Sequence, residues 1–350
     1  AEARAALRTA GTLPNPIVSY SHSDAAPRNH LLVDQPLDWL LRRGPDRAAA
    51  RAGIVRARAD SSSTVAGLLR DVRIAFYRAR ASRLAEALAG EQATLADSVA
   101  GIAGARLRAG DISVLEQEQA AQEAARARRT AAAAREAARL DELELARAIA
   151  WEGVPPRPAG PLDTGLDALP EASLEPTALP ALRAAVADSA AAAALARSAS
   201  IARVPLPSVQ SGAEWGDPSQ PGTLAVIGVA IPFPLWNRGG GTVGEARARA
   251  GRSAALAREA RLEAIRQIGQ ARIRLEESAA RARFGRDTLL PAAVVLRNRA
   301  VRAYQVGETG ILPVLDALRS EHDVSLSTLD DQLNYQEALA DWYALSGRTE

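Results

Sequence analysis

The sequence predicts an α+β protein, mostly α, built as two tandem repeats, each a pair of β-strands followed by a long antiparallel helical hairpin. Three observations predict it. Landmarks recur in the same order roughly 190 to 200 residues apart. Helical patterns rich in Ala, Arg and Glu run for roughly 60 residues without a stop. Aromatic residues are only 4% of a chain whose hydrophobic share is 47%, much of it alanine.

The composition argues for thin, close-packed helices. Burying a methyl group gains about 0.8 kcal/mol while fixing a residue's backbone costs about 1 to 2 kcal/mol, so alanine seams need neighbours on both sides. Net charge is +2, from 43 basic and 41 acidic residues, and every basic residue is arginine. That balance gives no case for nucleic acid or an acidic substrate. The absence of cysteine excludes disulfides, thiolate metal sites and cysteine nucleophiles. The longest uncharged run, Pro218 to Asn237, has the length of a membrane helix, but its four prolines forbid one.

Taken in order, residues 1–10 read as the last turns of a helix, stopped by Gly11 and the LPNP that follows. Ala1 opens inside that pattern, so a processed or trimmed N-terminus is expected. Strands are expected at about 15–23 and 30–38, with Val18, Tyr20 and His22 alternating against Ser19, Ser21 and Ser23. Long helices follow at about 44–108 and 112–152, broken at Gly110, with Asp111 or Ser113 as N-cap. A helix of roughly 60 residues would extend about 90 to 100 Å, too long for a compact domain. Residues 1–153 thus form the first repeat and 154–180 a proline-rich irregular linker or equatorial region. The second repeat, 181–350, holds a short helix at about 181–203, strands at about 206–215 and 223–232, and long helices at about 242–305 and 311–347.

The repeat rests on four landmarks. Leu13-Pro14-Asn15-Pro16 returns as Val204-Pro205-Leu206-Pro207, and the strand exit at Pro36 returns at Pro232. The turn at Gly110 returns at Gly307, and Leu145 to Gly153 returns as Leu339 to Gly347. Strands with one small polar face and one bulkier face suit a barrel separating lipid from water. Four strands cannot close a barrel, and open edges are not tolerated in a bilayer, so oligomerisation follows. Three copies give twelve strands and twelve long helices, a β-barrel continued by a helical tube.

The residues at this point resemble a known family, the TolC-like outer-membrane factors of tripartite efflux pumps. The resemblance is carried by LPNP at Leu13, IPFPLWNRGGG at Ile231, AYQVGETGILPVLDALRS at Ala303 and LNYQEALADWYALSG at Leu333. The junction looks most like the heavy-metal and cation branch, of the cobalt-zinc-cadmium type served by RND transporters. The resemblance implies a homotrimeric, passive conduit in the outer membrane of a Gram-negative bacterium, extending into the periplasm. Its implied partners are a periplasmic adaptor, through it an inner-membrane RND transporter, and outer-membrane lipid. A periplasmic adaptor or a coiled-coil scaffold is the alternative; two equal strand-and-hairpin repeats argue against the first, and the lack of leucine heptads against the second. The chain departs from the family's pattern in its first-half tip, in the missing start of its first helix and in having no lipidated cysteine among these residues.

The family's periplasmic aperture maps onto the tips Gly110 to Glu118 and Gly307 to Asp316, with Glu308 beside the second glycine. Asp316 matches a position whose carboxylate faces the pore and favours cations; otherwise it is an acid near a helix start. Pro313 stands where relatives can carry a second acid. Glu116 and Tyr304 match positions that bond the two tips together, although a tyrosine there also serves as a packing residue. The barrel-to-helix junction is expected at Pro36 and at Pro232, Pro234, Trp236, Gly239 and Gly240, with Gly239 to Gly241 as the bend. His22, His30 and His322 show no paired ligand spacing, and Ser61 to Thr64 has no nucleophile frame. No catalytic residue, cofactor or metal site is therefore expected.

Overall fold

The structure, a computed structural model, describes residues 1–170, 174–236 and 238–346. Three expectations fall outside these residues: Asn237 of the junction motif, residues 171–173 of the proline-rich region, and Gly347, where the last helix was to end. The chain divides into two compact units, Ala1–Ser63 with Glu175–Ile265, and Thr64–Leu174 with Arg266–Glu350. Each unit draws on both halves of the sequence.

The first unit holds α1 (Glu2–Thr9), β1 (Ile17–His22), β2 (Asn29–Pro36), α4 (Pro180–Ala202), β3 (Ser208–Trp215) and β4 (Thr223–Ala230), with the starts of α2 (Trp39–Ala109) and α5 (Gly240–Phe284). The strands form one antiparallel sheet in the order β1-β2-β3-β4. Pairs such as Leu32↔Gly212 and His30↔Glu214 join strands from the two halves. The sheet's register sorts its side chains. Val18, Tyr20, Leu31, Val33, Val209, Ala225, Ile227 and Val229 share one face, and Ser19, Ser21, His30, Asp34, Ser208, Gln210 and Glu214 share the other. Tyr20 and Trp215 stack on the apolar face with centroids 6.2 Å apart.

Helix α2 begins at Trp39 rather than at Gly44. Proline just inside a helix start made Gly44 the natural beginning. The added turn is held by the Asp38 carboxylate, which accepts from Arg42 Nη1 at 3.2 Å, and by the Arg43 guanidinium over the Trp39 ring at 5.7 Å. Helix α5 likewise begins at Gly240, so Gly240 and Gly241 are helical and only Gly239, at φ +68, makes the bend.

The second unit holds the remainder of α2 and α5, together with α3 (Val114–Ala148), α6 (Leu290–Gln305) and α7 (Ile311–Ser346). An alanine seam runs between α2 and α3, from Ala89, Ala93 and Ala96 to Ala124, Ala127 and Ala131. The uninterrupted helix expected to reach residue 305 instead contains a π-helical turn, Gly285–Leu289, between α5 and α6. Pro291 has no N–H to give the carbonyl four residues back and would clash with it, which one extra residue per turn relieves. At Gly285 a Cβ would stand 3.0 Å from Thr328 Oγ1, so the helices meet where only glycine fits closely.

The proline-rich segment lacks regular structure from Trp151 to Pro170 but is docked within its unit. Leu162 and Leu166 are buried. Gln336 Nε2 donates to the carbonyls of Leu162 and Thr164 at 2.8 and 2.9 Å, and the Tyr335 hydroxyl donates to Gly165 at 2.7 Å. Burial pushes that hydroxyl's pKa up to about 12, so it stays a donor at neutral pH. Arg286, in the π turn, reaches Asp163 and Asp167 at 3.4 and 2.8 Å. Asp167 is held below the usual carboxylate range by that hydrogen bond.

Candidate channel site

Both helix tips close with the same turn. In the first, Gly110 takes φ +83 and the Asp111 N–H donates to the Arg106 carbonyl at 2.9 Å; in the second, Gly307 takes φ +82 and Glu308 donates to Ala303 at 2.9 Å. A left-handed residue with a bond spanning six residues is the Schellman arrangement, and glycine adopts it without a Cβ penalty. Ser113 caps α3, its Oγ accepting from the Glu116 N–H at 3.3 Å. Beneath the turns lies an apolar cluster of Val99, Ala103, Ala120, Tyr304, Ile311, Val314, Leu315 and Leu318.

Tyr304 is 0% exposed, and its hydroxyl has no hydrogen-bond partner among the described residues. Glu116 is not bonded to it. The residue that joins the tips is Arg106, whose Nη1 donates to the Tyr304 carbonyl at 3.2 Å and whose guanidinium carbon lies 4.9 Å from the ring centroid. Burial raises the Tyr304 pKa, opposed by the Arg106 charge. Sequence reasoning missed Arg106 because nothing local distinguishes it from the chain's other arginines. Asp316 projects from α7 with its side chain 78% exposed, 3.9 Å from Arg319 Nη1. Arg319 in turn holds the buried Glu123 of α3 through a 2.6 Å bond from Nη2. Glu308 is exposed.

In the first unit, Pro36 is the last residue of β2, paired with Ser208, and the Leu37 N–H donates to Pro207 at 3.2 Å. Both strand exits leave from this end of the sheet, since Ser208 also pairs with Ala230. Pro232 and Pro234 lie in the irregular segment after β4, where Phe233 and Trp236 are 81% and 93% exposed. At Gly239 a Cβ would sit 3.6 Å from Arg203 Cγ.

The polar face of the sheet was not singled out from sequence as a functional surface. Asp34 accepts from Ser208 Oγ and Gln210 Nε2, each at 2.8 Å, and His30 Nδ1 lies 3.2 Å from Glu214 Oε1. His22 Nδ1 meets Asn29 Oδ1 at 2.9 Å on the opposite face. Among the described residues no group of three metal-ligating side chains forms, and no helix is long and apolar enough to cross a membrane.

Such a sheet joined to paired long helices is the fold of TolC-like outer-membrane channels. The structure aligns with the outer membrane protein VceC of Vibrio cholerae at a TM-score of 0.79 and 18% identity, covering 100% of this chain and 91% of that one. It aligns with CusC at 0.74 and 20% identity, covering 98% and 86%. Residues 177–348 match the family model "Outer membrane efflux protein". The cobalt-zinc-cadmium resistance protein CzcC of Cupriavidus metallidurans is 28% identical over 324 residues, 90% of this chain and 76% of that protein. Over residues 177–348 the chain is similar to the outer membrane efflux protein family, and over its whole length it has the fold of the aligned channels.

Proposed function

We propose that three copies of this chain form a passive conduit in the outer membrane of a Gram-negative bacterium, reaching into the periplasm and releasing heavy-metal cations delivered by an RND-type pump. The observation that carries this reading is the four-stranded antiparallel sheet, with two unpaired edges and one exposed apolar face. Such a sheet needs partners on both edges before it can sit in a bilayer. Three copies supply twelve strands, an even number within the range of outer-membrane barrels, and twelve long helices for the tube. The metal assignment is supported by the likeness to a cobalt-zinc-cadmium resistance protein. Exposed Val114, Leu115, Val306 and Leu312 at the tips offer an apolar surface to a periplasmic adaptor, which links the conduit to an inner-membrane transporter. Family and fold are those of channels rather than enzymes.

In this reading the tips form the aperture, with Gly110 and Gly307 setting the turns, Asp316 lining the opening and Arg106 tying it through Tyr304. Crosslinking of outer-membrane fractions gives a trimer, and the purified protein conducts in planar bilayers; a soluble monomer without conductance would overturn the proposal. Asp316→Asn lowers the cation preference of those channels, and an unchanged preference removes Asp316 from the pore. Arg106→Ala deletes one charge-assisted hydrogen bond and one cation–π contact per chain, together about 2 kcal/mol. Open-state occupancy should therefore rise more than about tenfold, read from single-channel records, and a variant that gates like the parent would show that the contact only packs the tip.

A further inference from the structure

The sheet's register sorts side chains by sign as well as by polarity. Among the described residues no arginine falls on a strand, although arginine is frequent on the helices. On the apolar face desolvation forbids charge. On the polar face it does not, and that face carries two carboxylates, Asp34 and Glu214, with no arginine to balance them. The nearest in sequence, Arg28, lies just before β2.

We propose that Asp34 and Glu214 determine the charge selectivity of the conduit inside its β-barrel, acting on cations in transit. This rests on the trimeric-channel reading, which turns the apolar face to lipid and therefore the polar face to the lumen. The partners of Asp34 are the neutral donors Ser208 and Gln210, which fix the carboxylate without cancelling its charge. Glu214 has the His30 ring nitrogen Nδ1 at 3.2 Å and no arginine beside it. Since Asp34 faces Gln210 and His30 faces Glu214, the two carboxylates lie four residues apart along the pairing, about 13 Å. Three copies place them as two rings of three. Screening at 0.1 M salt acts over about 10 Å, so the fields of the two rings overlap along the wall. A narrow channel with a low-dielectric wall focuses such a field, raising cation and depleting anion concentration.

Reversal potentials across a planar bilayer under a KCl gradient test this with the full chain, Asp316 left intact. The parent passes K⁺ in preference to Cl⁻. Asp34→Asn and Glu214→Gln each lower the permeability ratio, and the double variant lowers it by about threefold or more. Ser21→Lys, on the same face opposite His30, lowers the ratio without touching either carboxylate or the partners of Asp34. Conducting channels with the parent's ratio in the double variant, or in Ser21→Lys, overturn the proposal while leaving the channel reading intact. A parent protein that does not conduct overturns both.

Discussion

Gly212→Val prevents assembly: outer-membrane fractions of this variant should yield no crosslinked trimer. An ideal Cβ on Gly212 would stand 2.2 Å from the Leu31 carbonyl oxygen and 3.2 Å from Leu32 Cα, both backbone atoms. A flexible side chain could swing aside, but Leu31 and Leu32 are fixed by pairing with Ala213 and Gly212 and, across β1, with Tyr20 and Ser19. Overpacking ordinarily costs about 1 to 3 kcal/mol, and a backbone collision belongs at or above the top of that range. The loss falls on the β2–β3 ladder, the pairing that joins the sheet's two strand pairs. Gly228→Val is the control. Its Cβ would meet only the Gln210 side chain, at 3.7 Å, so trimer yield should match the parent. Equal yields from both variants would show that the sheet accommodates bulk at Gly212.

The second large effect lies between α2 and α3. Arg83 grips Glu142 with two bonds, Nε to Oε1 at 2.5 Å and Nη2 to Oε2 at 2.6 Å, and the Glu142 side chain is only 7% exposed. Arg83→Ala leaves that carboxylate buried and unpaired, which should cost about 3 kcal/mol and lower the thermal midpoint in detergent. Removing the pair together is milder than removing one partner, so Arg83→Met with Glu142→Leu should regain most of the loss. Arg83→Lys falls between, because an ammonium cannot form the two-pronged contact. A midpoint for Arg83→Ala within error of the parent would show that water reaches Glu142.

What was legible in the sequence was whatever depended on neighbouring residues. Alternation in Val18-Ser19-Tyr20-Ser21-His22 announced a two-faced strand, and Gly110 and Gly307 announced turns that do require positive φ. Features that depend on a distant partner were not legible. The π turn at Gly285 is shaped by Thr328 as well as by Pro291, and only Pro291 is close in sequence. The first turn of α2 was hidden because Pro45 reads as a start signal, while the contacts that extend the helix backward are an ion pair and a ring stack. Arg106 owes its importance to Tyr304, on the other hairpin, and Asp34 to strand β3. The aperture and the transport partners came from family resemblance rather than from pattern.

The division of each compact unit between both halves of the sequence also dictates an order of events. Strand β2 waits for β3, whose residues are made only after the first hairpin and the proline-rich segment have emerged. The stretch Ala1–Ser63 has no finished partner until Glu175–Ile265 exists, and Thr64–Leu174 awaits Arg266–Glu350. Contacts so distant along the chain are slow to form and leave apolar strands open to wrong associations meanwhile. Neither unit can be completed before the second half is made, so closing the sheet is a late step in the protein's biogenesis.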